Sequence, residues 1–320
     1  MEKIKCASFF AGVGGIDLGF ELQGGYKVIY VNEFDSSPTQ TYELNSNVKV
    51  DCRDIRTILP EEIPDFDVCL AGFPCQSFSI AGKRQGFSDE QRGTLFFEIV
   101  RIIRVKKPKI LFLENVKNLL TLDEGNTFKI IKNTLEELGY SIKYKVLNAM
   151  EYGNIPQNRE RIYIVGFLDK SQCDKFEFPK AIPLTKQLSD IIDFHKKFDE
   201  KYYYVKGKYK GDIYEKLVAA MDDKNAVYQW RRTYVRKNKS GVVPTLTANQ
   251  GTGGHNVCIV LTDYGIRKMT PRECFNTQGF PASFILPQNV VDSKLYKQAG
   301  NSVCVPVVSR IADKIYRATV

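Results

Sequence analysis

Between Ile4 and Phe167 the chain alternates short β-branched and aromatic runs with longer segments at helical spacing, and few folds accept that pattern. It reads as a largely parallel sheet flanked by helices. Ile4 to Phe10 is a first strand, after which Gly12, Gly14 and Gly15 turn into a helix that begins near Ile16 and stops near Gly24 and Gly25. Lys27 to Val31 is a second strand ending at Asn32 and Glu33, and Asp67 to Ala71 is another, ending at Gly72-Phe73-Pro74-Cys75. Leu95, Ile99, Ile102 and Ile103 fall on one helical face that Pro108 closes, and the strand Lys109 to Leu113 then ends at Glu114-Asn115. A helix carrying Phe128, Ile131, Leu135 and Leu138 stops at Gly139, followed by strands around Ile142 to Leu147 and Ile162 to Phe167.

After about Phe167 the texture changes. From Ser171 to Gly265 there are 16 Lys+Arg against 11 Asp+Glu, a net of +5, with seven tyrosines between Tyr202 and Tyr234 and no clear strand-helix alternation. This stretch is a candidate second domain. Trp230 to Ser240 holds Arg231, Arg232, Arg236, Lys237 and Lys239 with no acid among them, and Thr245 to Gly254 is polar and glycine-rich. From about Tyr296 the pattern is helical again, with Val307, Val308, Ile311 and Ile315 near helical spacing.

A chain of 320 residues that is 43% hydrophobic can bury a substantial core, which excludes disorder as its main state. Its 46 Lys+Arg against 37 Asp+Glu give +9, a balance that favours a polyanionic partner but also suits an ordinary surface. No apolar run approaches the ~20 residues of a membrane span, and Met1-Glu2-Lys3-Ile4-Lys5 lacks a signal peptide's apolar region, so a cytoplasmic protein is expected. The eight cysteines contain no C-x-x-C pair and only His195 and His255 accompany them, so reduced thiols and no metal are expected.

The glycine loop after the first strand lets backbone approach a nucleotide, although alone it would as readily pack helix on strand. Glu33, eighteen residues beyond Gly15, stands where dinucleotide folds place a carboxylate on ribose hydroxyls. The loop lacks the full G-x-G-x-x-G spacing, so an adenosine ligand without a pyrophosphate fits at least as well as NAD, which points to S-adenosylmethionine. Cys75 follows another strand in a polar turn, where a thiol is less readily explained as core packing. Glu114 follows the apolar run Ile110 to Leu113 and is expected to be partly buried, with its pKa raised. Parallel strands would bring all of these to one crevice. Gln157-Asn158-Arg159-Glu160-Arg161 is most often a solvated turn, but beside a thiol its arginines would stabilise thiolate.

In this order the motifs resemble the bacterial cytosine-C5 DNA methyltransferases of restriction-modification systems, almost end to end. Phe10-Ala11-Gly12-Val13-Gly14-Gly15 looks like the family's first motif, Asn32-Glu33 its second, Asp54-Ile55 its third and Pro74-Cys75-Gln76 its catalytic motif. Arg92-Gly93-Thr94-Leu95-Phe96, Glu114-Asn115-Val116, Gln157-x-Arg159-x-Arg161, Arg267 to Cys274 and Gly300-Asn301-Ser302-Val303 follow in family order. Ser8 departs from the pattern, since many members carry an acidic residue there.

The resemblance implies an α/β fold of the S-adenosylmethionine-dependent, Rossmann-like type, plus a smaller target-recognition domain. The catalytic domain would be discontinuous, 1–178 and 288–320, with recognition domain and hinge at 179–287. Phe10, Glu33, Phe34, Asp54, Ile55 and Leu95 would line the cofactor site, with Gly12, Gly14, Gly15 and Pro74 counted in it. Asn301 and Ser302 would return beside Cys75 and the cofactor. Cys75, Glu114, Arg159 and Arg161 form the implied catalytic set, and S-adenosylhomocysteine is the implied product.

A base inside a duplex cannot present C6 to a thiol, so the target cytosine would be flipped out, and the loop from Ser79 to Arg92 is the natural lid. Arg231, Arg232, Arg236, Thr245 and Leu246, with Ser79 and Arg92, are the candidate DNA contacts. The expected partner is double-stranded DNA, bound by a monomer that becomes nucleoid-associated. A cognate restriction endonuclease would act on the same site without forming a stable complex. Two other readings stay open at this stage, a catalytically silent DNA reader and an RNA cytosine methylase. Intact Cys75, Glu114 and Arg161 disfavour the first, and the sizeable tyrosine- and arginine-rich segment favours DNA over RNA.

Overall fold

A computed structural model describes residues 2–74, 95–209, 211–238, 241–252 and 256–320. The chain forms two compact units, one of Met1–Leu147, Glu160–Lys180 and Val307–Val320, the other of Asn148–Arg159 and Ala181–Pro306. The second unit thus takes in 148–159 and 288–306 as well as the tyrosine-rich stretch.

The first unit contains β1 (Ile4–Phe9), α1 (Gly15–Gln23), β2 (Tyr26–Asn32), α2 (Ser36–Glu43), β3 (Val68–Ala71), α3 (Leu95–Lys106), β4 (Ile110–Val116), α4 (Asn126–Glu137) and β5 (Ser141–Asn148). After the short α5 (Ala149–Tyr152) and β6 (Gln157–Asn158) of the second unit, β7 (Glu160–Phe167) and α6 (Lys170–Lys175) complete it, together with most of the C-terminal helix Val305–Thr319. Its six-stranded sheet runs β2-β1-β3-β4-β7-β5, with β1 parallel to β2 and β3, β3 parallel to β4, and β4 antiparallel to β7. Every residue of β3 is buried, as are Ile110 to Asn115 of β4, because helices cover central strands on both faces and leave no solvent side for alternation. Ile99, Ile102 and Ile103 of α3 enter that core at 0–1% exposure, joined by Ile131 and Leu135 of α4. On β2's side the C-terminal helix closes the layer: Tyr26 donates to the Ala312 carbonyl at 3.1 Å. A Cβ on Gly19 of α1 would lie 2.6 Å from Val308, so that crossing requires glycine.

Because β1 has β2 on one side and β3 on the other, the sheet order reverses at β1. In open α/β sheets ligands bind at such a switch point, outside the carboxyl ends of the strands.

The second unit holds α7 (Ile213–Ala220), β8 (Val227–Arg231), β9 (Tyr234–Lys237), β10 (Val243–Pro244), β11 (Cys258–Thr262), β12 (Gly265–Lys268), α8 (Pro271–Thr277) and α9 (Asp292–Asn301). Strands β12-β11-β8-β9 form an antiparallel sheet, packed through Tyr228, Ile259 and Ile266 on Leu217 and Met221. The sequence showed no alternation here because these strands are short and the β8–β9 hairpin turns through Arg232-Thr233, with Arg232 itself at φ 58° rather than the glycine or asparagine that marks such turns. The helical pattern from Tyr296 proves to be two helices, α9 and Val305–Thr319, parted where Ser302 is extended and Pro306 opens a new first turn. Among the described residues no helix is long and apolar enough to cross a membrane.

Candidate active site

Phe9 pairs with Asn32 on one side and Ala71 on the other, and Ala71 pairs with Leu113. The next residues, Phe10, Glu33, Gly72 and Glu114, therefore emerge along one edge of the sheet. Phe10 leaves β1 at φ 54°, and Gly12 and Gly14 follow at φ 56° and 81°, so the chain doubles back over the strand end. The Gly12 amide donates to Oε2 of Glu33 at 2.9 Å and the Asp35 amide to Oε1 at 2.8 Å. The carboxylate is thus aimed by backbone from both loops. Among the described residues a Cβ on Gly12 would meet no atom within 4 Å, while one on Gly14 would meet the Tyr42 ring at 2.6 Å. One side of the loop is open and the other is packed. Gly15 opens α1 behind it.

A third loop closes the group. The Asn32 side-chain Nδ2 donates to the carbonyls of Asp51 and Arg53 at 2.8 and 2.9 Å, holding the turn that contains Asp54 and Ile55. Asp54 caps that turn through the Arg56 amide at 3.0 Å. The hydrogen-bonded Arg56 guanidinium, then that amide, hold the Asp54 carboxyl down to about 2. Ile55 is buried, and Arg101 of α3 binds its carbonyl at 2.8 Å, tying the turn to the helix whose first residue is the half-buried Leu95. Phe34 is 69% exposed at the rim and Phe10 half-buried.

At β4 the edge carries a carboxylate–guanidinium pair. Nε of Arg161 lies 3.1 Å from Oε1 of Glu114, both side chains being nearly buried. Arg161 also donates to the Glu160 carbonyl at 2.8 Å. A Cβ on Gly72 would lie 3.6 Å from Oε2 of Glu114, so this carboxylate sits against the start of the loop leading to Cys75. The buried Asn115 side chain pins that loop by donating from Nδ2 to the Phe73 carbonyl at 2.9 Å, and Pro74 beyond it is exposed. Cys75, Ser79 and Arg92 lie outside the described residues.

The remaining candidates belong to the second unit. Arg159 is 2% exposed, and its guanidinium donates to the carbonyls of Leu246 at 2.9 Å, Gly300 at 3.1 Å and Ser302. It braces the two segments that carry Leu246 and Ser302. Leu246 is itself buried, Thr245 donates to the Asn158 carbonyl at 2.7 Å, Ser302 is buried and Asn301 exposed. Arg231, Arg232 and Arg236 lie on or beside the β8–β9 turn, with Arg232 and Arg236 exposed. Sequence reasoning passed over Asn32 and Asn115 as acting side chains, though both stood in quoted motifs. It missed Asp17 and Tyr42 altogether, since nothing local marks a helix carboxylate that points inward. Among the described residues no cluster of His, Cys, Asp and Glu is placed to hold a metal ion.

The sequence model of the C-5 cytosine-specific DNA methylase family matches residues 4–317. The chain is 56% identical to the Type II methyltransferase M.Bsp6I of Bacillus sp. (strain RFL6) over 98% of its own length and 99% of that protein's. To the Type II methyltransferase M.SsoII of Shigella sonnei it is 42% identical, covering 98% of this chain and 80% of that one. Its backbone resembles the Entamoeba histolytica methyltransferase EhMeth with a TM-score of 0.77 at 20% identity, each chain covered completely, a likeness of fold. A match this long, over a sheet edge that gathers the glycine loop, Glu33 and the Glu114–Arg161 pair, means that the chain belongs to the C-5 cytosine-specific DNA methylase family and is a cytosine-C5 DNA methyltransferase.

Proposed function

We propose that the enzyme transfers a methyl group from S-adenosylmethionine to C5 of a flipped cytosine in a short duplex site, through a covalent Cys75–C6 intermediate, and so protects host DNA in a Type II restriction-modification system. The relatives' names support the last point, since M.Bsp6I and M.SsoII are both Type II methyltransferases. The observation that carries the chemistry is the strand register, which puts the glycine loop, Glu33, the run into Cys75 and Glu114 with Arg161 on one sheet edge.

The cradle fits an adenosine. Among the described residues Gly12 leaves open space beside a left-handed backbone, and Glu33 is preoriented to receive ribose hydroxyls. Phe10 and Phe34 would pack on the adenine, Asp54 would meet its edge, and Ile55, Leu95, Gly14, Gly15, Pro74, Asn301 and Ser302 complete the proposed set. When bound, S-adenosylmethionine supplies an electrophilic methyl group and departs as S-adenosylhomocysteine; the reading calls for no metal.

Cytosine C5 is a poor nucleophile. Addition of the Cys75 thiolate to C6 makes C5 enamine-like, which divides one hard step into easier ones. Glu114, carrying a proton, hydrogen-bonds N3 and stabilises the charge that develops on the ring, while Arg161 holds O2. Once C5 carries the methyl group, loss of its proton and elimination of Cys75 restore the aromatic ring. Arg159 serves this set by bracing the Ser302 segment. The domain assignment, catalytic over 1–178 and 288–320 and recognition over 179–287, belongs to the same proposal. So do the lid from Ser79 to Arg92, the DNA contacts of Arg231, Arg232, Arg236 and Thr245, with the buried Leu246 holding Thr245 in place rather than reaching DNA itself, and a monomer acting in the cytoplasm.

DNA carrying 5-fluorocytosine at the target tests the mechanism, because fluorine cannot leave C5 as a proton does. With S-adenosylmethionine present, a covalent adduct that maps to Cys75 is expected. An active preparation that forms none contradicts the reading.

A further inference from the structure

Beneath the glycine loop lies a buried group that the proposed chemistry does not use. Ser8, at the end of β1, donates its hydroxyl to Oδ1 of Asp17 at 2.6 Å, and Tyr42 of α2 donates to Oδ2 at 2.8 Å. Ser8 and Asp17 are 1% and 2% exposed. One carboxylate thereby joins three elements: the strand before the glycine loop, the helix after it, and the helix that follows Glu33. The Tyr42 ring occupies the space a Cβ on Gly14 would need, so the same tyrosine supports the loop from below. The upper tie between the two walls is the Gly12 amide on Glu33, and the lower tie runs through Asp17.

We propose that Asp17 is a positioning residue of the cofactor cradle, its carboxylate fixing α1 and α2 against the end of β1. The proposal rests on the reading of this cradle as the S-adenosylmethionine site. A fully buried carboxylate is costly, and burial pushes its carboxyl up to about 6, so packing alone does not account for an acid here. Two hydroxyl donors and a place in the first turn of α1 orient it and favour its charge. A ligand lying across the glycine loop then meets two walls already set at their working separation, and less binding energy goes into ordering them.

The test compares S-adenosylmethionine affinity by calorimetry and steady-state methylation of duplex DNA for the wild type, Asp17→Ala, Asp17→Asn and the exchange Ser8→Asp with Asp17→Ser. Losing the charge-assisted bonds in Asp17→Ala is expected to raise Kd and KM for S-adenosylmethionine about tenfold, with kcat changed less than about twofold. Asp17→Asn keeps the shape and weaker bonds and falls between the two. The exchange, which keeps the acid–hydroxyl pair but moves the acid to β1, is expected to bind within about threefold of wild type. Wild-type affinity in Asp17→Ala overturns the proposal. So does an exchange variant that melts like the wild type yet binds as weakly as Asp17→Ala, and should Asp17→Ala fail to fold, the exchange decides alone. Failure of the wild type to bind S-adenosylmethionine would instead sink the cofactor reading.

Discussion

Arg161 reaches Glu114 diagonally across the antiparallel β4–β7 pair, Nε to Oε1 at 3.1 Å, because Glu114 stands opposite Tyr163 and Val116 opposite Arg161. Residues two apart share a face of a sheet, so this register alone brings the two side chains together. A one-residue slip would send Arg161 to the other face. The antiparallel strand in an otherwise parallel neighbourhood thus supplies an arginine from the start of β7 to the end of β4.

Glu114→Gln is expected to lower kcat by about 100-fold or more, the usual contribution of a positioned proton donor, while S-adenosylmethionine binding stays near wild type. Single-turnover methylation and cofactor titration separate the two. Arg161→Lys should also be impaired, since a point charge does not reproduce guanidinium geometry.

Cys75→Ser is expected to abolish methylation and leave DNA affinity within about threefold, because it removes the nucleophile alone. Gel-shift and methyl-transfer assays on one preparation check this. A parallel loss of both would mark a folding defect.

The titration of Asp17 should be visible in stability. Its carboxyl lies at about 6 in the folded protein against an ordinary 3.8, chiefly through burial, so the native state binds the proton more tightly than the unfolded chain. That stabilisation is complete below the ordinary value and lost as pH rises through about 6. Asp17→Asn does not titrate, so the wild-type unfolding free energy relative to it is expected to fall by about 2 kcal/mol between about pH 4 and about pH 7. Denaturant melts across that range measure it, and a flat difference would show that the group is not shifted upward.

In the second unit Arg267, fully buried, donates to both oxygens of Glu273 at 2.7 and 2.8 Å, and the Thr270 amide donates to one of them. Glu273→Ala strands the guanidinium and is expected to cost about 3–5 kcal/mol, whereas Arg267→Met with Glu273→Leu should recover much of that loss. Urea unfolding distinguishes them.

Removing Arg231, Arg232 or Arg236 should weaken DNA binding. For a phosphate contact the plot of log affinity against log salt loses about one unit of slope for each arginine, uniformly over sequences. A loss confined to the cognate site would instead mark a base contact.

Where the sequence carried a periodic signal, the structure followed it. Apolar runs at β1, β3 and β4 and the one-sided faces of α3 and α4 are consequences of burial, and burial patterns are written in residue order. The short antiparallel strands of the second unit were not legible, because the Arg232 turn and the small hairpin carry no glycine punctuation.

From the chain alone came the glycine loop, the carboxylate after the second strand, the thiol turn and the acid after β4, each a local pairing of residue type with an element's end. The ties between them came only from the folded molecule: Glu33 on the Gly12 amide, Arg161 on Glu114, Asp17 between Ser8 and Tyr42. These partners stand 21, 47, 9 and 25 residues apart. Strand order and register set such meetings, and both are decided by how faces pack across the whole sheet, which no local stretch of sequence encodes.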